Sequence, residues 1–392
     1  MPLPPESNRE ARMPRLDAVR ALAIFSVFAF HVLDSTYGAG ELGWRNGWRD
    51  WHAAPDWLYL ACYPLTFGWL GVALFFVLSG FVIHHSFLAS QNSFTIRRFY
   101  WRRFWRIYPP YLLALLVFTA LTARHAPHSI KLDFTLHLAL VHNLVASTFF
   151  GQANASFWSI GTEVQFYLVY PLMLGLRRAV GMANVAKISL AIAAPGLLLA
   201  VLLRDNAPQA VTYLSALPTV TWFGWVLGAL IAEGFCQGRR WIAKPRPWLL
   251  GLGILAAAST FQRQASVLSF TLAMMFCAVA LECWVWSSKP LGAVEKMALP
   301  LGLCSYSFYL WHQPLLKSTV FHLQAVGFHP PALLMFGAMT FFPIYALSWL
   351  LYVFVEKRCN AYGRTFLAKK PFTAKPGAAF PDAQLAPLAG RE

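Results

Sequence analysis

An arginine and a histidine stand eleven residues apart in the otherwise apolar stretch RLDAVRALAIFSVFAFH. Eleven residues make three helical turns, so a helix puts Arg20 and His31 on one face, roughly 16 Å apart along the axis. An ionisable side chain in such a stretch is costly in hydrocarbon, which makes each a functional candidate. Arg20 also fits a snorkelling anchor, and His31 a hydrogen-bonded helix contact. Glu163 interrupts a second apolar stretch, FWSIGTEVQFYLVYP, where Ser159, Glu163, Tyr167 and Tyr170 fall along one helical face. A carboxylate so placed needs a cation, a protonated histidine or a proton of its own. Pairing with His31 would orient the imidazole and raise its basicity. A third stretch, CSYSFYLWHQPLL, carries Ser305, Tyr309 and His312 on one face with Gln313 adjoining. Such a polar stripe lines a cavity or joins two helices by hydrogen bonds.

A fourth stretch, FTIRRFYWRRFWRIYPPYL, is basic and aromatic together. Arg98, Arg102 and Arg106 recur at helical spacing, with Arg103 one turn from Arg106. Interfacial helices look like this, and lipid-headgroup anchoring accounts for the pattern. The functional reading is a phosphate site, because guanidinium forks bind phosphate bidentately and five arginines suffice for a nucleotide-bearing cofactor. Pro109 and Pro110 are expected to break the helix here. In GWLGVALFFVLSGFVIHH the small residues Gly68, Gly71, Ser79 and Gly80 allow close helix approach, and packing explains them.

These residues need a scaffold, and composition says which kind. Of 392 residues 58% are apolar and only 12% charged, with mean hydropathy +0.50. A soluble chain carries about 25% charged residues, so a soluble globular enzyme and a disordered chain are both excluded in favour of an all-α, polytopic membrane helix bundle. Ten stretches qualify as spans: 16–36, 66–88, 107–124, 156–176, 186–203, 219–236, 247–262, 266–286, 298–318 and 332–355. The segment 134–150, interrupted by His137, His142 and Asn143, reads as re-entrant or interfacial. With the N-terminus inside and ten alternating spans, 24 of the 32 Lys and Arg fall on the inner side and 7 on the outer, Arg20 lying within a span. That asymmetry predicts both termini in the cytoplasm. It also explains the net charge of +16 without a nucleic-acid partner. The six scattered cysteines read as packing residues, and the first span as retained. The outer loop 34–60, with Trp44, Trp48, Trp51 and Trp57, reads as an interface anchor or a polar substrate platform. Residues 1–15 form a cytoplasmic segment, 16–358 the membrane domain, and 359–392 a disordered tail.

Four elements in this order resemble acyltransferase family 3, over about residues 13–365. They are Arg20 with His31 as R-x10-H; Arg103 and Arg106 before an aromatic-Pro start; Trp158, Ser159, Glu163, Phe166 and Tyr167; and Tyr306, Tyr309, His312 and Pro314. The closing acidic-basic element stands as Glu356-Lys357-Arg358, without the family's proline. The resemblance implies a membrane O-acyltransferase of a bacterial inner membrane, moving an acyl group, most often acetyl, from cytoplasmic acyl-CoA to a hydroxyl of a glycan, glycolipid or similar acceptor. No metal is called for. On this resemblance His31 is a general base or covalent acyl relay, with Glu163 and Arg20 completing the catalytic set. Arg103 and Arg106, helped by Arg98 and Arg102, hold the donor phosphates. Tyr309, His312, Ser159 and Tyr167 contact the substrates. The esterase-like extracytoplasmic domain of some members does not appear within these residues, so the chain acts alone, as a homodimer or with a separate partner. The rival reading is a glycan or lipid transporter, which shares the spans and the buried ionisable residues but needs no thioester.

Overall fold

The computed structural model describes residues 13–38, 56–90, 94–123, 130–151 and 153–368. Of the expected outer loop 34–60, residues 39–55, with Trp44, Trp48 and Trp51, lie outside them. All regular structure among the described residues is helical. The helices are α1 (Pro14–Tyr37), α2 (Trp57–Ala61), α3 (Leu70–Ala89), α4 (Ile96–Ala123), α5 (Ile130–Leu138), α6 (Phe157–Val180), α7 (Met182–Leu202) and α8 (Pro208–Ser215). They continue with α9 (Pro218–Cys236), α10 (Pro245–Ser259), α11 (Ser269–Val285), α12 (Ala293–Leu303), α13 (Ser305–Ala325), α14 (Pro330–Met339), α15 (Phe341–Leu351) and α16 (Lys357–Ala368).

Among the described residues seven helical stretches are long and apolar enough to cross a membrane: Pro14–Tyr37, Tyr63–Ala89, Ile96–Thr122, Met182–Leu202, Ala210–Cys236, Ala265–Val285 and Pro330–Thr365. The other three expected spans are helical too, but each departs from a plain apolar rod. The stretch 156–176 lies in α6 and carries Thr162, Glu163 and Gln165. In 247–262 the helix α10 has 15 residues, about 22 Å at 1.5 Å per residue, against a hydrocarbon core of about 30 Å. The stretch 298–318 is divided at Cys304 between α12 and α13. The segment 134–150 forms the end of α5 and two short 3-10 turns, with His137, His142 and Asn143 buried.

Two expectations are corrected. Pro109 and Pro110 lie inside α4, which runs unbroken from Ile96 to Ala123. Proline is tolerated within membrane helices because neighbouring groups re-satisfy the freed carbonyls. The arginine-rich segment and the span after it are therefore one helix. The stretch 359–368 is not a disordered tail but most of α16, which packs on α4 by setting Tyr362 edge-on to Trp105, ring centroids 4.5 Å apart. Residues 369–392 lie outside the described residues.

The helices that matter for chemistry surround α1. It begins with Pro14 in its first turn, where a missing amide costs nothing, and ends at Gly38, with φ +81°. It packs on α3, α12, α13 and α14. The approach of α12 is close enough that a Cβ at Gly302 would stand 1.9 Å from the Asp17 carbonyl oxygen. The most extensive pairing is α3 with α9, and Gly80 permits it: a Cβ there would meet the Trp225 carbonyl oxygen at 1.9 Å. Gly80→Ala is therefore expected to push the two helices apart, at a cost of about 1–3 kcal/mol. Thermal unfolding in detergent should show a lowered midpoint; an unchanged midpoint would mean that α3 and α9 do not meet here.

Between α15 and α16 the chain makes a wider π turn, Tyr352–Glu356, a local geometry that recurs at functional positions. It leaves Glu356 buried, where the Ser307 hydroxyl donates to it at 2.7 Å.

Candidate active site

The face of α4 that carries the arginines borders a cavity of about 540 Å3. Arg98, Arg102, Arg103 and Arg106 line it, together with Arg20 from α1 and Arg364 from α16. A smaller cavity of about 100 Å3 shares Arg20, Arg103 and Arg106 with the first and continues inward to Glu163, Tyr167 and Tyr309. Val82 and Ile83 border both cavities as well, and this shared border, with its three guanidinium groups, is called the neck. Asp17, one turn before Arg20 on α1, accepts from it at 2.7 Å.

Beyond the neck the polar groups are cross-linked. The Ser79 hydroxyl on α3 donates to Glu163 Oε1 at 2.6 Å, and the Tyr167 hydroxyl, one turn along α6, donates to the same oxygen. Trp225 Nε1 donates to Ser79 at 3.3 Å. Arg103 lies over the Tyr167 ring, 5.5 Å from its centroid, on the carboxylate side of the neck. At the far end Ser159 Oγ and Tyr309 Oη are 2.7 Å apart, and Tyr309 also donates to the Ser156 carbonyl at 3.2 Å. This hydroxyl pair bolts α6 to α13.

His31 stands behind that bolt. Its ring centroid is 5.2 Å from that of His312, whose own ring is 5.4 Å from Tyr309. The partners of His31 Nδ1 are Asp34 Oδ2 at 3.4 Å and the Gln313 side-chain nitrogen at 3.3 Å. The two contacts suit opposite tautomers: Nδ1–H donates to Asp34, whereas a bare Nδ1 accepts from Gln313. Lys317 reaches the same Asp34 oxygen at 3.3 Å. The expected pairing of His31 with Glu163 is not found. Asp34 is one turn away on the same helix and gets there first, while Glu163 is held by Ser79 and Tyr167.

His312 is fully buried, and its tautomer follows from its contacts. Nδ1 donates to the Tyr309 carbonyl at 2.8 Å, so in the neutral ring Nε2 carries the lone pair. That Nε2 is buried and has no hydrogen-bond partner, leaving a free base beside His31.

Of the residues singled out by the sequence reading, the structure brings Arg20, Arg98, Arg102, Arg103 and Arg106 to one cavity, and Ser159, Glu163, Tyr167 and Tyr309 to the next. His31 and His312 lie side by side but line neither cavity. Several residues escaped that reading: Asp34, counted with the outer loop although three residues after His31; Ser79, taken as a packing residue; Gln313, noted only as adjoining; and Arg364. A separate buried cluster was missed as well. Arg177 forks onto Glu233 at 2.8 and 2.7 Å, and His84 Nε2 lies 3.3 Å from the same carboxylate. The lone acid in 219–236 was its signal. The cluster borders neither cavity and braces α6 against α3 and α9. Among the described residues no three His, Cys, Asp or Glu side chains converge as metal ligands do.

Comparison with known proteins adds an independent line. A family model described as an acyltransferase domain matches residues 13–354. The exopolysaccharide production protein ExoZ of Rhizobium meliloti is 30% identical over 291 residues, which cover 70% of this chain and 84% of ExoZ. The acyltransferase MdmB of Streptomyces mycarofaciens is 29% identical over 178 residues, 44% of this chain and 42% of MdmB. The peptidoglycan O-acetyltransferase OatA of Listeria monocytogenes is 25% identical over 177 residues, 41% of this chain and 24% of OatA. The chain thus spans less than half the length of some curated relatives it matches. No solved structure matches it.

Proposed function

The chain belongs to the acyltransferase-domain family that its residues 13–354 match, and from that premise we propose that it is an acyl-CoA-dependent O-acyltransferase acting on a glycan, glycolipid or related hydroxylated acceptor. The observation that carries this reading is the adjacent pair of cavities: an arginine-walled space shares a border of three arginines with a carboxylate-tyrosine chamber, beyond which stand two histidines. A long anionic thioester needs such an arrangement, with cations for its phosphates, a narrow way for its thin arm and a base at the end.

The donor comes from the cytoplasm, where the arginine-rich end of α4 lies if both termini are inside and ten segments alternate across a bacterial inner membrane. Arg103 and Arg106 bind its phosphates, aided by Arg98 and Arg102. Arg20 lines the neck beside the pantetheine arm. Glu163 fixes Ser79 and Tyr167 and balances the Arg103 charge, keeping the passage open and polar. The acceptor hydroxyl approaches from the outer side. In one sequence His31, held by Asp34, takes the hydroxyl proton, the oxygen attacks the thioester carbon, and the carbon–sulfur bond breaks to release the CoA thiolate, which takes up the proton. In the other a His31 nitrogen attacks first, forming an acyl–nitrogen bond as the carbon–sulfur bond breaks; the acceptor oxygen then displaces the imidazole from the acyl carbon, and the hydroxyl proton passes to the thiolate. Tyr309 and Ser159 close the inner chamber, so they must part for the thioester to reach the histidines. Tyr309 can donate to the reacting carbonyl once it parts from Ser159, and the bare Nε2 of His312 can accept from the acceptor hydroxyl.

The test is the purified chain in vesicles with acetyl-CoA labelled in the acetyl group and a soluble glycan offered on the opposite side. Labelled ester, stable to washing and released by mild alkali, is the expected product. If no ester forms with any thioester or glycan while a labelled glycolipid crosses the bilayer, the protein is a carrier and the acyltransferase reading fails.

A further inference from the structure

The larger cavity holds six arginines but only one acid, Asp17, which Arg20 engages. Its wall is shared between α4 and α16: Asn360 and Arg364 border it from the C-terminal helix. That helix is anchored. Tyr362 sits edge-on to Trp105, and Gly363 lies so near that an added Cβ would stand 2.8 Å from the Trp105 Cβ. The side chains flanking this contact, Asn360 and Arg364, are thereby delivered to the cavity that Arg98 and Arg102 also border.

The arginines divide into two groups by position. Arg20, Arg103 and Arg106 belong to both cavities and form the neck, whereas Arg98, Arg102 and Arg364 border the larger cavity alone. Arg98 is about 12 Å from Arg106 along the helix axis. Its Nε is buried without a hydrogen-bond partner. A CoA thioester carries its anions in two groups as well. The diphosphate adjoins the pantetheine arm, and the 3'-phosphate lies at the far end, on the adenosine ribose. An acyl arm threaded through the neck puts the diphosphate at the three shared arginines and leaves the 3'-phosphate in the wider space.

We propose that α16 completes the donor site, with Arg364 and Asn360 joining Arg98 and Arg102 around the ribose 3'-phosphate. This rests on the acyl-CoA reading above. It makes the C-terminal helix a specificity element that distinguishes CoA thioesters from the same thioesters lacking that phosphate. Guanidinium suits the task because it presents paired donors to phosphate oxygens and stays charged.

The experiment is equilibrium binding of acetyl-CoA and of 3'-dephospho-acetyl-CoA to the full chain in phosphatidylcholine nanodiscs. The unaltered protein should prefer acetyl-CoA by about tenfold or more, the range of a charge-assisted hydrogen bond. Arg364→Ala should remove most of that preference while leaving affinity for the dephospho donor unchanged, which also shows that the variant is folded; Arg364→Lys should keep part of it. A preference retained in full by Arg364→Ala, or an equal loss for both donors, would overturn the assignment while the donor reading stands. An unaltered protein that binds neither donor would overturn both. Discs containing phosphatidylglycerol should leave the preference in place. Its disappearance there would assign Arg364 to a lipid headgroup and overturn the proposal.

Discussion

His31→Ala leaves the protein folded in the membrane and able to bind acyl-CoA, yet lowers acyl transfer by about 100- to 10,000-fold, the range for a positioned base. The separation of binding from transfer follows from geometry. His31 borders neither cavity, so its loss removes no donor contact. It does remove the imidazole that Asp34 and Gln313 hold at 3.4 and 3.3 Å. Labelled ester formation and donor affinity, measured on the same preparation, check the claim. Full transfer at normal expression would remove His31 from the mechanism and leave the unpartnered Nε2 of His312, one ring away, as the base to examine.

The residues read most easily were those whose relation is confined to one helix. Arg98, Arg102, Arg103 and Arg106 meet one cavity because helical spacing alone brings them to one side of α4. Relations between helices were harder. Helical periodicity says that Ser159, Glu163 and Tyr167 share a side of α6, but not which neighbour that side meets. A helix apolar almost all round gives no direction to its seams. His31 was therefore given a distant carboxylate, Glu163, when the nearer Asp34 lay three residues along its own helix. Ser79 looked like one more small residue in a packing stretch, and only the approach of α3 to α6 turns it into a donor for Glu163. The two prolines of α4 misled for a related reason. Their cost is that of a soluble helix, whereas a packed membrane helix can absorb it. The last ten described residues were hidden by composition: a polar, basic stretch running into a Pro- and Ala-rich end looks like tail, and its order comes from Trp105 on a helix far away in sequence.

Reversing charge at the neck, with Arg103→Glu and Arg106→Glu together, is expected to weaken acyl-CoA binding by at least about a hundredfold. A hydrogen bond to a charged group is worth about 1.5–3 kcal/mol, and the double change both deletes two such donors and sets two carboxylates against the phosphates. Single replacements by alanine should cost less, because Arg20 remains at the neck and Arg98 and Arg102 in the wider cavity. The pattern also separates the donor reading from lipid anchoring. Arginines that only hold headgroups would weaken membrane retention or folding when reversed, with no selective effect on a soluble donor. Arg103 needs a control of its own, since it also stacks over Phe99 and Tyr167 at 5.7 and 5.5 Å. Arg103→Gln keeps much of the stem that packs there while dropping the charge. If that variant unfolds like the glutamate, Arg103 serves packing. If it is folded but binds acetyl-CoA at least about tenfold more weakly, the loss belongs to a missing charge-assisted bond. Unchanged affinity in the folded double variant would place the donor elsewhere in the molecule.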